Sequence, residues 1–237
     1  MLIYPAIDLY GGKAVRLYKG DYDRMTVYNE DPTAVARDFQ DQGATHIHLV
    51  DLEGAKFGTS PNFDTICRLK AQTGLFCQTG GGIRTLERID RTLDAGIDRV
   101  ILGTAAVTEP GFVEAAVKKH GEKIAVGIDI REGFVAIRGW TEKTSLEAFD
   151  FCRRMADMGV RSLICTDISK DGAMQGANHE LYRMLKEQLA LNIIASGGVS
   201  SLEDVQRLSR LDIHGAIIGK AYYTGAIRLG DAIEVSK

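Results

Sequence analysis

Thr79-Gly-Gly-Gly-Ile-Arg84 and Ala195-Ser-Gly-Gly-Val-Ser200 are the two stretches of this 237-residue chain that decide its fold. They lie 116 residues apart, and the similarity extends beyond them. Nine of the 25 positions from 81 to 105 are identical to the positions 116 residues later. Similarity at a fixed offset indicates that one structural unit occurs twice in a chain. We therefore expect two related halves, at about residues 1–121 and 122–237.

Short runs of β-branched residues alternate with amphipathic stretches along the whole chain, which is typical of parallel strands joined by helices. The predicted strands are Leu2–Ile7, His46–Val50, Leu75–Gln78, Arg99–Leu102, Ile124–Ile128, Ser162–Cys165, Asn192–Ala195 and Gly215–Ile218. The predicted helices include Pro32–Gln42, Thr85–Ala95, Pro110–Lys119, Ser145–Met158 and Ser201–Leu211.

The repeat decides between the two architectures that this alternation allows. A half with four parallel strands leaves sheet edges unpaired, and two such halves remove those edges by closing on each other. A doubly wound open sheet accounts for the alternation but not for the halves. The sequence thus predicts one α/β domain over residues 1–237, a single (β/α)8 TIM barrel built from two duplicated half-barrels.

Composition argues against several classes of function. The formal net charge is −3 and the pI about 6.0, so no overall positive field attracts nucleic acid or an anionic membrane. No apolar run approaches the roughly 18 residues of a membrane span, and no basic leader precedes the first strand, so we expect a cytoplasmic protein. The four cysteines are widely spaced, and His46 and His48 lack a third neighbouring ligand, so we assign no metal.

Glycines end several predicted strands where a helix is about to begin. Such loops expose backbone N–H groups that bind phosphate together with the helix dipole, and barrels commonly use the loops after strands 7 and 8 in this way. The candidates there are Gly197, Gly198, Gly219 and Lys220, and the equivalent positions in the first half are Gly81, Gly82, Arg84, Gly103 and Thr104. Glycines that only make tight turns are the alternative for any single position. Two copies of the spacing, each with a cation, favour two phosphate sites and a ligand with a phosphate at both ends.

Two aspartates end strands at the catalytic face of the predicted barrel. Asp8 follows the first strand and Asp129 the fifth, so they would face each other across the mouth. One carboxylate can remove a proton while the other delivers one. The alternative for an aspartate at a strand end is a cap of a helix or turn, and Asp51 and Asp167 are candidates for that simpler role.

Further candidates lie in loops over the mouth. The segment from Thr166 to Gly176 includes Asp171 and suits substrate contact. The segments Gly11–Asp21 and Gly133–Trp140 are predicted hairpins that serve as lids.

Three side chains of these hairpins have two readings each. Trp140, the only tryptophan, either stacks on a planar heterocycle or packs its own loop. Arg16 and Lys19 either reach the ligand or point into solvent.

With these residues in hand, the chain closely resembles the phosphoribosylformimino-aminoimidazole-carboxamide-ribotide isomerase family of histidine biosynthesis, over essentially its whole length. The matching motifs are Pro5-Ala-Ile-Asp8-Leu, Val15-Arg-Leu, Lys19-Gly-Asp21, His48-Leu-Val-Asp51-Leu, Gly80-Gly-Gly-Ile-Arg84, Arg138-Gly-Trp140, Thr166-Asp-Ile-Ser-Lys-Asp-Gly172 and Ser196-Gly-Gly-Val199. The family is known for a half-barrel duplication, which agrees with the repeat.

The resemblance implies an Amadori rearrangement, in which the aminoaldose end of a bis-phosphorylated ribotide becomes an aminoketose without metal or organic cofactor. It implies that Asp8 is the base that takes the C2′ proton and that Asp129 is the acid that helps open the ribose ring. Thr166 would assist Asp129, and Asp171 is a further candidate for a share of the acid role. Trp140 would stack on the imidazole carboxamide. We expect a monomer whose partner is this small molecule.

Three alternatives remain at this point. The sister cyclase of imidazole-glycerol-phosphate synthase typically ends its first strand in Cys-Leu-Asp, where this chain has Ala6-Ile-Asp8. A bifunctional isomerase that also rearranges phosphoribosyl anthranilate uses the same chemistry. A catalytically silent barrel that only binds sugar phosphates or partner proteins is disfavoured by intact Asp8, Asp129 and Thr166.

Overall fold

The predicted parallel strands form one closed barrel in a computed structural model that describes residues 1–109 and 111–237. The strands are β1 Leu2–Tyr10, β2 Lys13–Tyr18, β3 Asp21–Asn29, β4 His46–Asp51, β5 Phe76–Gly80, β6 Arg99–Leu102, β7 Ile124–Arg131, β8 Phe134–Ile137, β9 Glu142–Glu147, β10 Ser162–Asp167, β11 Asn192–Ser196 and β12 Gly215–Ile218. Eight of them are parallel and close the barrel in the order β1, β4, β5, β6, β7, β10, β11, β12, with β12 returning to β1. The expected (β/α)8 barrel is confirmed. The origin of the chain in two duplicated halves stays a prediction.

Helices connect consecutive strands of the barrel. They are α1 Pro32–Asp41, α2 Leu52–Phe57, α3 Phe63–Thr73, α4 Leu86–Asp94, α5 Thr104–Thr108, α6 Phe112–His120, α7 Ala148–Asp157, α8 His179–Gln188, α9 Leu202–Arg210, α10 Lys220–Tyr223 and α11 Leu229–Val235. Among the described residues, none of the helices is long and apolar enough to cross a membrane.

Local sequence explains where the helices begin. Asp31 caps α1 by accepting the Thr33 N–H, and a proline occupies the first helical position, where its missing donor costs nothing. In α9, Ser201 and Asp204 form a reciprocal capping box.

One predicted helix start differs from the structure, and another lies outside the described residues. The helix expected from Ser145 begins three residues later, because 142–147 extends β9 by pairing with β8. The predicted start at Pro110 lies outside the described residues.

Both expected hairpins are present, and each is longer than the sequence suggested. β1 continues to Tyr10 and pairs antiparallel with β2, which pairs with β3. β7 continues to Arg131 and pairs with β8, which pairs with β9. Each antiparallel extension therefore rises from a strand that carries a candidate catalytic aspartate, Asp8 or Asp129.

Alternation along the strands separates an outer core from the barrel interior. In β4, Ile47 and Leu49 point outward into the large cluster between strands and helices, while His48 and Val50 face inward. The lower interior holds a second apolar cluster of Tyr4, Ala6, Ile101, Ala125, Ile164, Ile194 and Ile217. The barrel is thus filled below and open only at the carboxyl ends of its strands.

Candidate active site

One large cavity, open to solvent, occupies the mouth of the barrel at the carboxyl ends of the strands. A second, smaller cavity adjoins it and shares Arg16, Asp171, Ser196 and Ile217 with it. The sequence-predicted residues in the larger cavity are Asp8, Arg16, Gly81, Gly82, Arg84, Gly103, Thr104, Asp129, Trp140, Thr166 and Asp171. Those in the smaller one are Arg16, Asp171, Gly197, Gly198, Gly219 and Lys220. Lys19 lines neither cavity.

Asp8 is paired with a buried cation. Its Oδ2 lies 2.8 Å from Nη1 of Arg16, and the two side chains are 13% and 9% exposed. Burial raises the pKa of Asp8 to about 6, while the Arg16 guanidinium acts to lower it and the Asp171 carboxylate to raise it further. A carboxylate with this pKa can both take and return a proton near neutral pH.

Asp129 has a similarly raised pKa, and burial is again the largest cause. Burial raises the pKa of its carboxyl to about 6, and hydrogen bonds to the side chains of Trp140 and Thr166 act in the opposite direction. The register places Thr166 of β10 directly beside Asp129 of β7. β7 is four barrel strands away from β1 in either direction, so Asp129 and Asp8 stand on opposite walls of one cavity.

Asp171 lies between these carboxylates and the smaller cavity. One oxygen is 3.9 Å from Nη2 of Arg16. Burial raises its pKa, whereas Arg16 and Lys220 act to lower it. Arg16 is therefore shared between two carboxylates, Asp8 and Asp171.

The first Gly-rich region borders the larger cavity. Gly81 has a φ of +113°, and a Cβ there would lie 2.2 Å from the carbonyl oxygen of Asp51, so only glycine fits. Arg84 lies over Gly58 and lines the cavity. Gly103 precedes α5 with nothing within 4 Å of its Cβ position, which leaves the backbone open to a ligand.

The second Gly-rich region borders the smaller cavity and repeats these features. Gly197 has a φ of +87°, and a Cβ there would lie 2.6 Å from the carbonyl oxygen of Asp167. Gly219 precedes α10, and its Cβ position is occupied by the guanidinium of Arg16, 2.4 Å away. Nζ of Lys220 donates to the Gly172 carbonyl at 2.8 Å. Both regions thus combine glycines with a cation, but in the second the Arg16 guanidinium takes the space beside Gly219 that is open beside Gly103.

The lid loops contact each other over the mouth. A Cβ on Gly20, in the β2–β3 turn, would lie 2.3 Å from the indole ring of Trp140, in the β8–β9 loop. Arg131 donates to the Trp140 carbonyl at 2.9 Å, and the hydroxyl of Thr104 accepts the Arg138 N–H at 3.0 Å. Trp140 therefore packs against the first hairpin and also lines the cavity.

The aspartates considered as caps do act as caps. Asp51 accepts the Gly54 N–H at 2.8 Å at the start of α2. Asp167 accepts the Ser169 N–H at 2.9 Å and the Asn178 side-chain amide at 2.6 Å. Neither lines a cavity. The structure thereby separates these two carboxylates from Asp8 and Asp129, which end equivalent-looking strands.

Sequence reasoning missed three polar side chains in the cavity wall, His48, Tyr22 and Ser196. The sequence places His48 in a motif shared with the family but assigns it no role at the site. The signal that identifies it is its inward position in β4, two residues before the strand's last inward residue, Val50. In the part of the chain that the structure describes, no three His, Cys, Asp or Glu residues are grouped to hold a metal ion.

Comparison with known proteins covers nearly the whole chain. The model of a family described as "Histidine biosynthesis protein" matches residues 2–228. A protein of Listeria monocytogenes is 48% identical over 237 residues, covering 100% of this chain and 99% of its own length. One of Lactococcus lactis is 49% identical over 231 residues, with 97% of both chains covered. One of Oceanobacillus iheyensis is 47% identical over 234 residues, covering 99% of this chain and 98% of its own.

The three relatives carry one name, 1-(5-phosphoribosyl)-5-((5-phosphoribosylamino)methylideneamino)imidazole-4-carboxamide isomerase. That name describes an isomerase, and the compound named in it carries two phosphoribosyl groups. Neither the cyclase nor a second isomerisation receives support from it.

Proposed function

Because the chain belongs to the histidine biosynthesis protein family, we propose that it is the isomerase its relatives are named for. The reaction is the Amadori rearrangement of a bis-phosphorylated imidazole-carboxamide ribotide, from aminoaldose to aminoketose. The enzyme is thus of the aldose–ketose isomerase type.

The single observation that carries this proposal is the pair of carboxylates on opposite walls of one cavity. Asp8 and Asp129 both have a pKa of about 6, so each can hold or release a proton near neutral pH. The rearrangement moves a proton from C2′ to C1′ of the sugar after its ring has opened. Two separate groups are needed because the ring oxygen and C2′ lie on different sides of the sugar.

In the proposed first step, protonated Asp129 donates to the ring oxygen, and the C1′–O bond breaks to give an open-chain iminium. Thr166 holds the carboxyl in place. Asp8 then takes the C2′ proton, and the C–H electron pair forms a C1′=C2′ double bond while the iminium nitrogen recovers its pair. Protonated Asp8 then returns its proton to C1′, and the proton on the C2′ oxygen passes through solvent to the Asp129 carboxylate, which completes the aminoketose and restores both aspartates. Each proton that leaves one site is thus accounted for at another.

The two Gly-rich regions support a ligand with two phosphates. The first region, with Gly81, Gly82, Arg84, Gly103 and Thr104, borders the larger cavity. The second, with Gly197, Gly198, Gly219 and Lys220, borders the smaller one. Backbone N–H groups and a cation at each suit a phosphate, and gripping both ends positions the sugar between the carboxylates.

Arg16 and Trp140 have positioning roles in this proposal. Arg16 favours the carboxylate form of Asp8 and reaches the edge of the second phosphate region. Trp140, which lines the cavity, supplies the flat surface for the imidazole carboxamide. We further propose that the protein works as a cytoplasmic monomer, with no nucleic acid or membrane partner.

The test is turnover of the ribotide by purified protein, followed by coupling to the cyclase that consumes the product. We expect Asp8→Asn to reduce kcat by about 10³-fold, since general base catalysis contributes about 10²–10⁴. Binding of the ligand, measured by calorimetry, should change little. Wild-type protein that binds the ribotide without turnover would identify a silent barrel, and an unimpaired Asp8→Asn variant would remove Asp8 from the role of base.

A further inference from the structure

His48, Gln78 and Arg99 form a hydrogen-bonded chain across three neighbouring strands of the barrel interior. Register pairs His48 of β4 with Gln78 of β5, and Gln78 with Arg99 of β6. Nη1 of Arg99 lies 3.3 Å from Oε1 of Gln78, and Nε2 of Gln78 lies 3.1 Å from Nδ1 of His48. Gln78 is fully buried, so its amide depends on these neighbouring side chains rather than on solvent for hydrogen bonds.

The direction of every hydrogen bond in this chain follows from Arg99. A guanidinium can only donate, so the Gln78 atom facing it must be the carbonyl oxygen. The amide NH2 of Gln78 then faces His48 and donates. Nδ1 of His48 is therefore the acceptor, and the proton of the neutral ring sits on Nε2.

The ring is also kept neutral. Burial lowers the pKa of His48 to about 3, and the nearby Arg16 guanidinium acts in the same direction. His48 lines the larger cavity, so with Nδ1 occupied, Nε2–H is the ring's free hydrogen-bond donor.

His48 stands next to the proposed base. Its register partner in β1 is Ala6, two residues before Asp8, so the two side chains lie on neighbouring strands in successive interior layers. With layers two residues apart and strands side by side, their Cα atoms are separated by about 8 Å. At this separation, C2′ of the substrate can lie against the Asp8 carboxylate while the oxygen on C2′ points towards His48.

We propose that His48 is a further catalytic residue, a neutral donor from Nε2 to the oxygen on the sugar carbon that loses its proton. Gln78 and Arg99 are positioning residues that set its tautomer. The donor stabilises negative charge on that oxygen as the enol becomes a ketone, and a neutral ring does so without surrendering its proton. This inference rests on the proposed isomerisation.

The first test reads the tautomer directly and needs no turnover. Two-bond ¹H–¹⁵N spectra of labelled protein distinguish a protonated ring nitrogen from an unprotonated one, and His48→Gln identifies the signals of residue 48. We expect Nε2–H and bare Nδ1 at neutral pH in the wild-type protein. A proton on Nδ1, or on both nitrogens, would overturn the proposal whatever the activity.

The second test uses Gln78→Glu to reverse the direction of the hydrogen bond between residue 78 and His48. The carboxylate introduced at position 78 accepts hydrogen bonds from both Arg99 and His48. The imidazole proton therefore moves to Nδ1, and His48 loses the Nε2–H that would donate to the substrate. We expect kcat to fall about 10²-fold with KM changed much less, as for loss of one donor to a developing oxyanion. A Gln78→Glu protein with a switched tautomer and unchanged kcat would contradict the proposal.

Gln72→Glu is the matched control. Its side chain accepts from Arg37 at 2.7 Å on the exposed helix surface, so the same substitution beside an arginine leaves the cavity untouched. Turnover should be unchanged there. His48→Gln, which keeps an N–H at a similar reach, should retain more activity than His48→Leu, and equal losses would reject a donor role. If the wild-type protein showed no turnover, the proposed isomerase function would be overturned, whereas the tautomer of His48 would still be decided by its own measurement.

Discussion

At the scale of single residues, the different surroundings of Asp8 and Asp129 support the two different roles proposed for them. Burial raises the pKa of both carboxyls to about 6. Asp8 faces the cation Arg16, which favours the carboxylate and thus a base. Asp129 is held by the hydroxyl and indole N–H of neutral neighbours, which leaves it freer to be the acid.

These pKa values predict a narrow pH optimum. The base Asp8 must be ionised, so kcat/KM should rise with pH up to about 6, and the acid Asp129 must be protonated, so kcat/KM should fall above about 6. The two apparent pKa values of the pH–rate profile describe the coupled pair of carboxyls rather than either residue alone. Initial rates at low substrate concentration across this range will reveal the bell, and a flat profile would contradict the assignment.

Asp129→Asn should stabilise the fold at neutral pH. A carboxyl whose pKa is about 6 when folded and lower when unfolded contributes stability that is lost as pH rises through 6. The asparagine amide does not ionise and so avoids that loss, which predicts a gain of about 3 kcal/mol in the free energy of unfolding at pH 7. Urea unfolding at neutral and acidic pH will measure it, and the difference should vanish in acid.

Asp204→Asn is the control with the opposite sign. Burial acts to raise the Asp204 pKa, but the Ser200 N–H and His179 outweigh it and leave the pKa lowered. Its stability contribution is present at neutral pH and disappears in acid. The amide should therefore destabilise at pH 7, and a gain there would show that the Asp129 effect is not specific.

At the scale of elements, the β8–β9 loop is strained. Arg138, Gly139 and Trp140 have φ values of +54°, +62° and +72°, a run of left-handed backbone. Such a conformation costs roughly 1–2 kcal/mol for each non-glycine residue, so surrounding contacts must hold it. Those contacts are the bonds to Thr104 and Arg131 and the packing of Trp140 on Gly20.

Gly20→Ala should therefore release the loop. The added methyl group would overlap the indole of Trp140 and push it away from the first hairpin. Because Trp140 is the only tryptophan, its fluorescence should shift to the red as the ring becomes more hydrated. Gly12→Ala is the control, since Gly12 also has positive φ in this hairpin but has nothing within 4 Å of its Cβ position. Equal spectra for the two variants would refute the contact.

At the scale of the whole molecule, closure of the barrel joins distant parts of the chain. β1 pairs with β12 on one side and β4 on the other, and the amino group of Met1 donates to the Ser236 carbonyl at 2.9 Å. One large apolar cluster packs against all the barrel strands. Neither half has a closed sheet alone.

Separate expression of residues 1–121 and 122–237 tests the predicted halves. A cut there unpairs β7 from β6 and β12 from β1, which exposes four strand edges. We expect each fragment alone to aggregate or self-associate, and the mixed fragments to regain the circular dichroism and turnover of the intact chain. Fragments that stay inactive after mixing would argue against two units that match at those edges.

Much of this architecture was readable in the sequence because strand periodicity and helix caps are local properties. The eight barrel strands were placed within three residues of their ends, and the Gly-rich loops fell beside the cavities. The β9 strand was missed since its residues, Glu142–Glu147, alternate too weakly and are mostly exposed. Its pairing with β8, which is not local, makes it a strand.

The chain's repeated glycines and strand-end aspartates were enough to indicate a barrel with an acid–base site and two phosphate regions, because barrel topology assigns strand ends to one face. Which aspartates face the cavity was a matter of packing. Asp51 and Asp167 bond to nearby backbone, whereas Asp8 and Asp129 point into the cavity. The pairing of Arg16 with Asp8 and the chain from Arg99 to His48 join different strands, and hydrogen bonds between strands depend on register and closure, which no local pattern encodes.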